Sequence, residues 1–444
     1  MKITGAGAGT GMNAKRGIRR NTRRNPRCAF CGKREEEVRI LVSGVEAFVC
    51  DACAFRNARI LREQDGRLPP RWHERTPATI KRQLDERVVG QDLAKRIISV
   101  ALHNHYKRIA DLGHPEIELA KSNILLIGPS GTGKTLLART LAEIADVPFA
   151  TVDATSLTQA GYVGADVKSI LLQLLQSAAY DVKAAEGGIL YIDEIDKIAH
   201  KETVAGRRDV GGQGVQQALL RLLEGATISV PSRSSRRYGM RTAFPLNTAN
   251  ILFIGGGEFA GLESIVLARE QQASVGYLAS LPARVGHSSA FNRATPEDLV
   301  ALGFIPELVG RLPVIAPLEH LDEAALVKIL TQPRNAIVDE YKLLFGLSGV
   351  DLQFDSDALQ TIARHAFRRG SGARGLRSIL ERLLLDLMFA LPSLPPVRKI
   401  VIDQASAERG RAWPLSSLEE AATAASVPAS HAAQVAQPGR APLP

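Results

Sequence analysis

Three short apolar runs punctuate the chain, at residues 123–127 (Asn-Ile-Leu-Leu-Ile), 188–192 (Gly-Ile-Leu-Tyr-Ile) and 250–255 (Asn-Ile-Leu-Phe-Ile-Gly). None has a polar face, which predicts strands of a parallel sheet covered on both sides. Helical spacing flanks the first run: Ile80, Leu84, Leu93, Ile97, Ile98, Ala101 and Leu102 precede it, and Leu136, Leu137, Leu141 and Ile144 follow. Near the N-terminus, residues 38–42 and 47–49 predict a small hairpin, and 54–64 a closing helix. Helical patterning returns from Leu321, with an apolar helix expected over 376–390 and a strand over 397–402. Three prolines in residues 66–79 mark a linker, and the Ala, Ser and Pro composition beyond Ala405 predicts a disordered tail. The expected fold is α/β, a three-layer core on a parallel sheet followed by a small α-rich domain.

Chemistry enters at the end of the first run. Gly128, Pro129, Ser130, Gly131, Thr132, Gly133, Lys134 and Thr135 match G-x-x-x-x-G-K-[ST] in the strand–loop–helix context that a phosphate-binding loop requires. Glycines there let backbone N–H groups turn inward around phosphate oxygens at the positive end of a helix. Lys134 is expected to reach the β- and γ-phosphates, and the Thr135 hydroxyl to hold Mg²⁺. Leu136 joins the expected nucleotide contacts. The second run ends in Asp193 and Glu194. Asp193 is placed to complete the Mg²⁺ shell and Glu194 to activate the attacking water, so ATP hydrolysis is expected, not only binding.

The four cysteines all lie in one segment, as Cys28-x₂-Cys31 and Cys50-x₂-Cys53. Two such knuckles can surround Zn²⁺ with four thiolates, a closed structural site. The net charge of +10 invites a nucleic-acid reading, yet eight of the ten charges belong to Lys2, Lys15, Arg16, Arg19, Arg20, Arg23, Arg24 and Arg27 in a leader free of acids. A solvated basic leader is the reading preferred to a nucleic-acid arm. No run approaches membrane length and no secretory pattern opens the chain, so a cytoplasmic protein is expected. The expected boundaries are a leader over 1–27, a zinc module over 28–65, a linker over 66–76, a large ATPase domain over 77–317, a small domain over 318–403 and a tail over 404–444.

A series of segments then resembles the ClpX family of AAA+ unfoldases, from Cys28 to about Asp403. They are Cys-Ala-Phe-Cys-Gly-Lys at 28–33, Val-Val-Gly-Gln at 88–91, Asn-His-Tyr-Lys-Arg at 104–108, Lys-Ser-Asn-Ile-Leu-Leu-Ile-Gly-Pro at 121–129 and Ala-Gly-Tyr-Val-Gly at 160–164. Tyr-Ile-Asp-Glu-Ile-Asp-Lys-Ile at 191–198, Gly-Val-Gln-Gln-Ala-Leu-Leu at 214–220 and Gly-Ala-Arg-Gly-Leu-Arg-Ser at 372–378 continue it. The resemblance implies a homohexameric ring driven by ATP that threads polypeptide to a ClpP-type peptidase, with adaptors docking on the zinc module. It gives Arg311 the role of a finger reaching the neighbouring subunit's nucleotide, and Arg374 that of a sensor arginine. Val88 and Val89 become the adenine wall, and Tyr162, Val163, Arg208 and Val210 the pore-loop grip.

Two departures bear on partners. Val275, Gly276 and Tyr277 stand where the family's peptidase-docking loop carries an Ile-Gly-Phe-type tripeptide. Losing one methylene costs roughly 1 kcal/mol at a buried contact, and a phenol in an apolar cleft costs more. Arg236, Arg237 and Tyr238 replace the family's Arg-Lys-His signature at the channel mouth. A remodelling chaperone acting without a peptidase is therefore the runner-up, and a nucleic-acid motor a more distant one.

Overall fold

The computed structural model describes residues 26–43, 47–54, 56–57, 75–110, 119–158, 165–199, 212–231, 243–273, 290–391 and 398–411. The chain divides into two compact units, Met1–Arg71 and Trp72–Pro444.

In the first unit, strands β1 (Leu41–Ser43) and β2 (Phe48–Cys50) pair antiparallel, with Leu41 opposite Cys50. The hairpin overlaps the one expected over 38–42 and 47–49, with its first strand starting three residues later and its second one residue later. The helix after it begins at Asp51, three residues ahead of expectation. Among the described residues, Cys28, Cys50 and Cys53 form the buried centre, with Val38, Leu41 and Val49 packed around it. So small an apolar cluster cannot offset the entropy of ordering its chain without a further crosslink.

The second unit opens with α1 (Pro77–Asp85) and α2 (Asp92–Ala110). Thr76 caps α1 by accepting from Thr79 N at 3.3 Å, and Pro77 fits the first turn, so the helix starts inside the 66–79 stretch read as linker. Next come β3 (Ile124–Ile127), α3 (Lys134–Ala145), β4 (Phe149–Asp153), the short β5 (Leu157–Thr158) and β6 (Ala165–Asp166), α4 (Val167–Ser177), α5 (Val182–Glu186) and β7 (Ile189–Asp193). Helix α6 (Gly212–Glu224), the hairpin β8 (Thr227–Pro231) and β9 (Ala243–Asn247), β10 (Leu252–Gly257), α7 (Leu262–Ala273), α8 (Pro296–Leu302), α9 (Pro306–Gly310) and β11 (Val314–Pro317) complete this part.

Five strands form one parallel sheet in the order β11-β3-β10-β7-β4. Strand β3 is buried at every position because its side chains divide between two cores. Ile124 and Leu126 pack with Ile80, Leu84, Ile98, Leu102, Leu137 and Leu141 on one face. Leu125 and Ile127 pack with Ile170, Leu174, Leu219 and Phe253 on the other. Two-sided burial is why the run reads as continuously apolar.

Small helices follow: α10 (Glu323–Thr331), α11 (Ile337–Leu347), α12 (Ser356–Arg368) and α13 (Gly372–Ala390). Strands β12 (Asp351–Phe354) and β13 (Lys399–Ile402) pair parallel among them. These elements share a separate core that includes Leu326, Phe345, Ile362, Leu380 and Ile400. One expectation is corrected. The tail expected from residue 404 begins with a helix, α14 (Gln404–Arg409), capped by Asp403 and burying Ser406 and Ala407. Ala407 closes the small core, so burial overrides a composition that reads as disordered.

Candidate active site

The phosphate loop is shaped by its glycines. Gly131 and Gly133 adopt φ of +76° and +99°, the left-handed region where a side chain is strained. Gly133 is the residue preceding α3, so the loop delivers Lys134 and Thr135 to the positive end of a helix. Loop and small domain meet here: Ala373 N donates to Gly131 O at 3.1 Å. A Cβ on Gly131 would lie 2.6 Å from Ser371 O, and one on Gly128 2.7 Å from Leu318 O. Side chains at these two positions would wedge α13 and the chain after β11 off the loop.

Lys134 Nζ donates to Gly128 O at 2.6 Å and Pro129 O at 2.8 Å, and Thr132 Oγ1 donates to Pro129 O at 2.9 Å. Burial lowers the Lys134 pKa from its ordinary value, while Asp193, Glu258 and Asp196 oppose that shift. Strand β7 ends beside the loop, and Asp193 accepts from Thr135 Oγ1 at 3.3 Å, Tyr191 OH at 3.1 Å and Glu194 N at 3.0 Å. Burial raises the Tyr191 phenol, which keeps it a donor. Glu194 takes φ of +52° at the turn after β7. Thr135 and Asp193 thus present a hydroxyl and a carboxylate side by side, the oxygen donors a Mg²⁺ ion takes beside triphosphate oxygens.

The other sequence-predicted residues are placed as follows. Val88 is buried, Val89 and Pro129 half-buried, and Ser130 and Leu136 exposed. Arg374 stands exposed in the first turn of α13, near enough for its charge to act on both Lys134 and Tyr191. Arg311 ends α9 away from the loop, with Nη2 3.1 Å from Glu224 Oε1. Tyr162, Val163, Arg208, Val210, Val275, Gly276 and Tyr277 lie outside the described residues, as do Arg236, Arg237 and Tyr238.

Sequence reasoning missed several polar side chains that hold this frame. Gln91, at φ of +59°, donates to Glu319 O and accepts from Glu319 N, both at 2.8 Å, clamping the segment where the large domain passes into the small one. Buried Lys95 donates to Val88 O and pairs with Asp85. Asn123 and Gln216 are buried hubs. A lone glutamine or asparagine carries no spacing signal, so only their place in the resembling segments could have drawn attention to them.

In the first unit the four cysteine sulfurs lie within 4.8 Å of one another, and Cys31 Sγ and Cys50 Sγ are 3.6 Å apart. Tetrahedral Zn–S bonds of about 2.3 Å require sulfur separations of about 3.8 Å, so the set fits zinc. The Cys50 backbone N–H helps pull the Cys28 thiol down to about 6, whereas burial and neighbouring sulfurs push Cys53 up to about 12. A Zn²⁺ ion would displace the remaining thiol protons and neutralise the four sulfurs held this close.

A parallel sheet carrying a glycine phosphate loop, an adjoining Asp-Glu strand end and a helical small domain resting on that loop define an AAA ATPase. Family profiles agree: "AAA domain (Cdc48 subfamily)" matches residues 119–315, "ClpX C4-type zinc finger" residues 26–63 and "C-terminal, D2-small domain, of ClpB protein" residues 321–399. Two relatives, from Porphyromonas gingivalis strains ATCC 33277 and W83, are each named "ATP-dependent Clp protease ATP-binding subunit ClpX". Each is 46% identical over 391 residues, covering 86% of this chain and 95% of the relative. The chain belongs to the ClpX family. It is an ATPase, with ATP, Mg²⁺ and zinc as its cofactors. Among the described residues no helix is long and apolar enough to cross a membrane.

Proposed function

We propose that this ATPase is a protein unfoldase and translocase, working as a cytoplasmic homohexameric ring that feeds polypeptide to a ClpP-type peptidase. The observation that carries the reading is the joint between phosphate loop and small domain. Because Ala373 N bonds Gly131 O across two bare glycines, Gly131 and Gly372, movement at the triphosphate is passed directly to the angle of α13. An ATPase that only hydrolysed its nucleotide would need no such joint.

Lys134 and the loop N–H groups would hold the phosphates, and Thr135 and Asp193 would hold Mg²⁺, which would supply positive charge to the triphosphate. Glu194 orients the attacking water. Arg311 neutralises charge developing on the neighbouring subunit's γ-phosphoryl group, and Arg374 reads nucleotide state from the small domain. Val88 and Val89 wall the adenine. Tyr162 and Val163, with Arg208 and Val210, grip the substrate, and Val275, Gly276 and Tyr277 dock the peptidase. The domain divisions at 28–65, 77–317 and 318–403 belong to the same proposal, with the last extended through α14.

The test is unfolding of a tagged fluorescent protein, followed as loss of fluorescence. The full chain with ATP should abolish the signal and the Glu194→Gln variant should not; equal signals in both would sink the reading. The Val-Gly-Tyr sequence favours one alternative, remodelling without a peptidase. Glu194→Gln protein that forms rings with ATP yet fails to co-sediment with its host's peptidase would select that alternative.

A further inference from the structure

Gln216 is fully buried on α6 and uses its whole amide. Nε2 donates to Ile198 O at 2.8 Å and to Gly303 O at 3.2 Å, and Oε1 accepts from Ile305 N at 2.8 Å. Both N–H donors and the oxygen are matched, so the side chain has one orientation. Its partners are not local. Ile198 closes the turn that follows Asp193 and Glu194, and Ile305 precedes α9, the five-residue helix that Arg311 follows. The far end of α9 is fixed too, because Asn123 Nδ2 donates to Arg311 O at 2.8 Å while Asn123 Oδ1 accepts from Phe253 N in the sheet. Helix α6 touches Arg311 itself through Glu224, its last residue, at 3.1 Å.

From this geometry we infer that α6, through Gln216 and Glu224, is the positioning strut of Arg311, tying the finger to the turn behind the water-activating Glu194. The inference rests on Arg311 acting at a neighbour's nucleotide. Gln216 sets where α9 starts, Asn123 sets where it ends, and Glu224 takes one of the five guanidinium N–H donors of a half-exposed side chain, leaving four for a ligand. A finger must arrive within a fraction of an ångström, since a displacement of about 1 Å can cost about 100-fold in rate. A helix that holds the turn of one active site through Gln216 and the finger for the next through Glu224 also links the two sites mechanically.

The test uses the full-length protein and mixed rings. Gln216→Met keeps the side-chain volume and removes the three hydrogen bonds. We expect kcat for ATP to fall about 10- to 100-fold with KM little changed, and the same substitution in an Arg311→Ala background to change kcat less than about twofold. A finger works in trans, so rings mixed from Gln216→Met and Glu194→Gln chains should regain hydrolysis that neither chain shows alone. A Gln216→Met site beside a Glu194→Gln chain would be served by that chain's intact finger. Mixed rings that stay inactive, or losses that multiply in the Arg311→Ala background, overturn the inference. Should Gln216→Met fail to fold, Glu224→Ala takes its place at a half-exposed position, with a smaller loss and the same recovery in mixed rings; no loss there also overturns it. Arg311→Ala is the control on the finger reading. If that variant keeps its rate, or is not rescued by Glu194→Gln chains, the finger role itself fails; if it behaves as a finger and Gln216→Met does not follow it, only the strut fails.

Discussion

Asp193 accepts from Thr135, Tyr191 and Glu194, so its carboxylate is aimed by three neighbours. Tyr191 is in turn held by backbone, because a Cβ on Gly256 would stand 2.1 Å from the Tyr191 hydroxyl. Gly256→Ala should therefore push the phenol off Asp193, costing about 1–3 kcal/mol by overpacking and raising the Mg²⁺ concentration needed for hydrolysis. A urea midpoint and a Mg²⁺ dependence both equal to the parent's would refute this. The spacing of the acids was legible in sequence; the reason for three successive glycines, 255–257, was not, since only the packed sheet reveals the phenol beside them. His105 gives a second residue-scale prediction. Its Nε2–H faces Asn250 O at 3.1 Å, while Nδ1 is buried without a partner among the described residues. Burial, then Arg108 and Lys121, push its pKa down to about 3. An unfolded histidine titrates near 6.5, so between these values the unfolded chain binds a proton that the folded one refuses. Stability should fall as pH drops below about 6.5 and stop responding to this group near 3. From pH 7 to pH 5 the loss is about 2 kcal/mol. In His105→Gln, urea unfolding at the two pH values should differ by that much less; an undiminished difference would rule His105 out.

At the scale of elements, what could be read depended on burial on both faces. β3, β7 and β10 lie inside the sheet and read as apolar runs. β4 and β11 lie at its edges and escaped. β4 alternates between half-buried, buried and exposed positions, and β11 is four residues ending in a proline. Edge strands keep one side open and need less apolar sequence. Helix α14 escaped for a different reason, since the residues it packs against the small core are small: Ser406 and Ala407 are buried behind the Asp403 cap. Ending the chain after Asp403 should consequently lower the thermal midpoint of the ATPase unit by several degrees, through loss of a capped helix and of Ala407 from the small core. Ending it after Arg411 should not. Equal midpoints for the two truncations would return residues 404–409 to the tail.

For the whole molecule, the zinc module and the ATPase are separate compact units, and the two are stabilised by different means. The sequence announced the difference: four cysteines in a segment almost without a core, against long apolar periodicities elsewhere. It could not announce the wiring within the ATPase unit, because Gln91, Asn123 and Gln216 act through two or three hydrogen bonds each to backbone far away in the chain. The difference in stabilisation has a measurable consequence. Among the described residues of the first unit, Cys28, Cys50 and Cys53 make up the buried centre, so the folding free energy of this segment is largely metal-binding free energy. The second unit has apolar cores on both faces of its sheet and none of the four clustered cysteines. Stripping zinc from the full-length protein with a chelator should therefore open the 26–57 region to protease within minutes. ATP hydrolysis and the thermal transition of the ATPase unit should stay near their starting values. Zinc added back should restore protection, in proportion to metal bound, up to one ion per chain. Hydrolysis lost together with zinc would mean that the metal module supports the ATPase fold and is not a separately stabilised attachment.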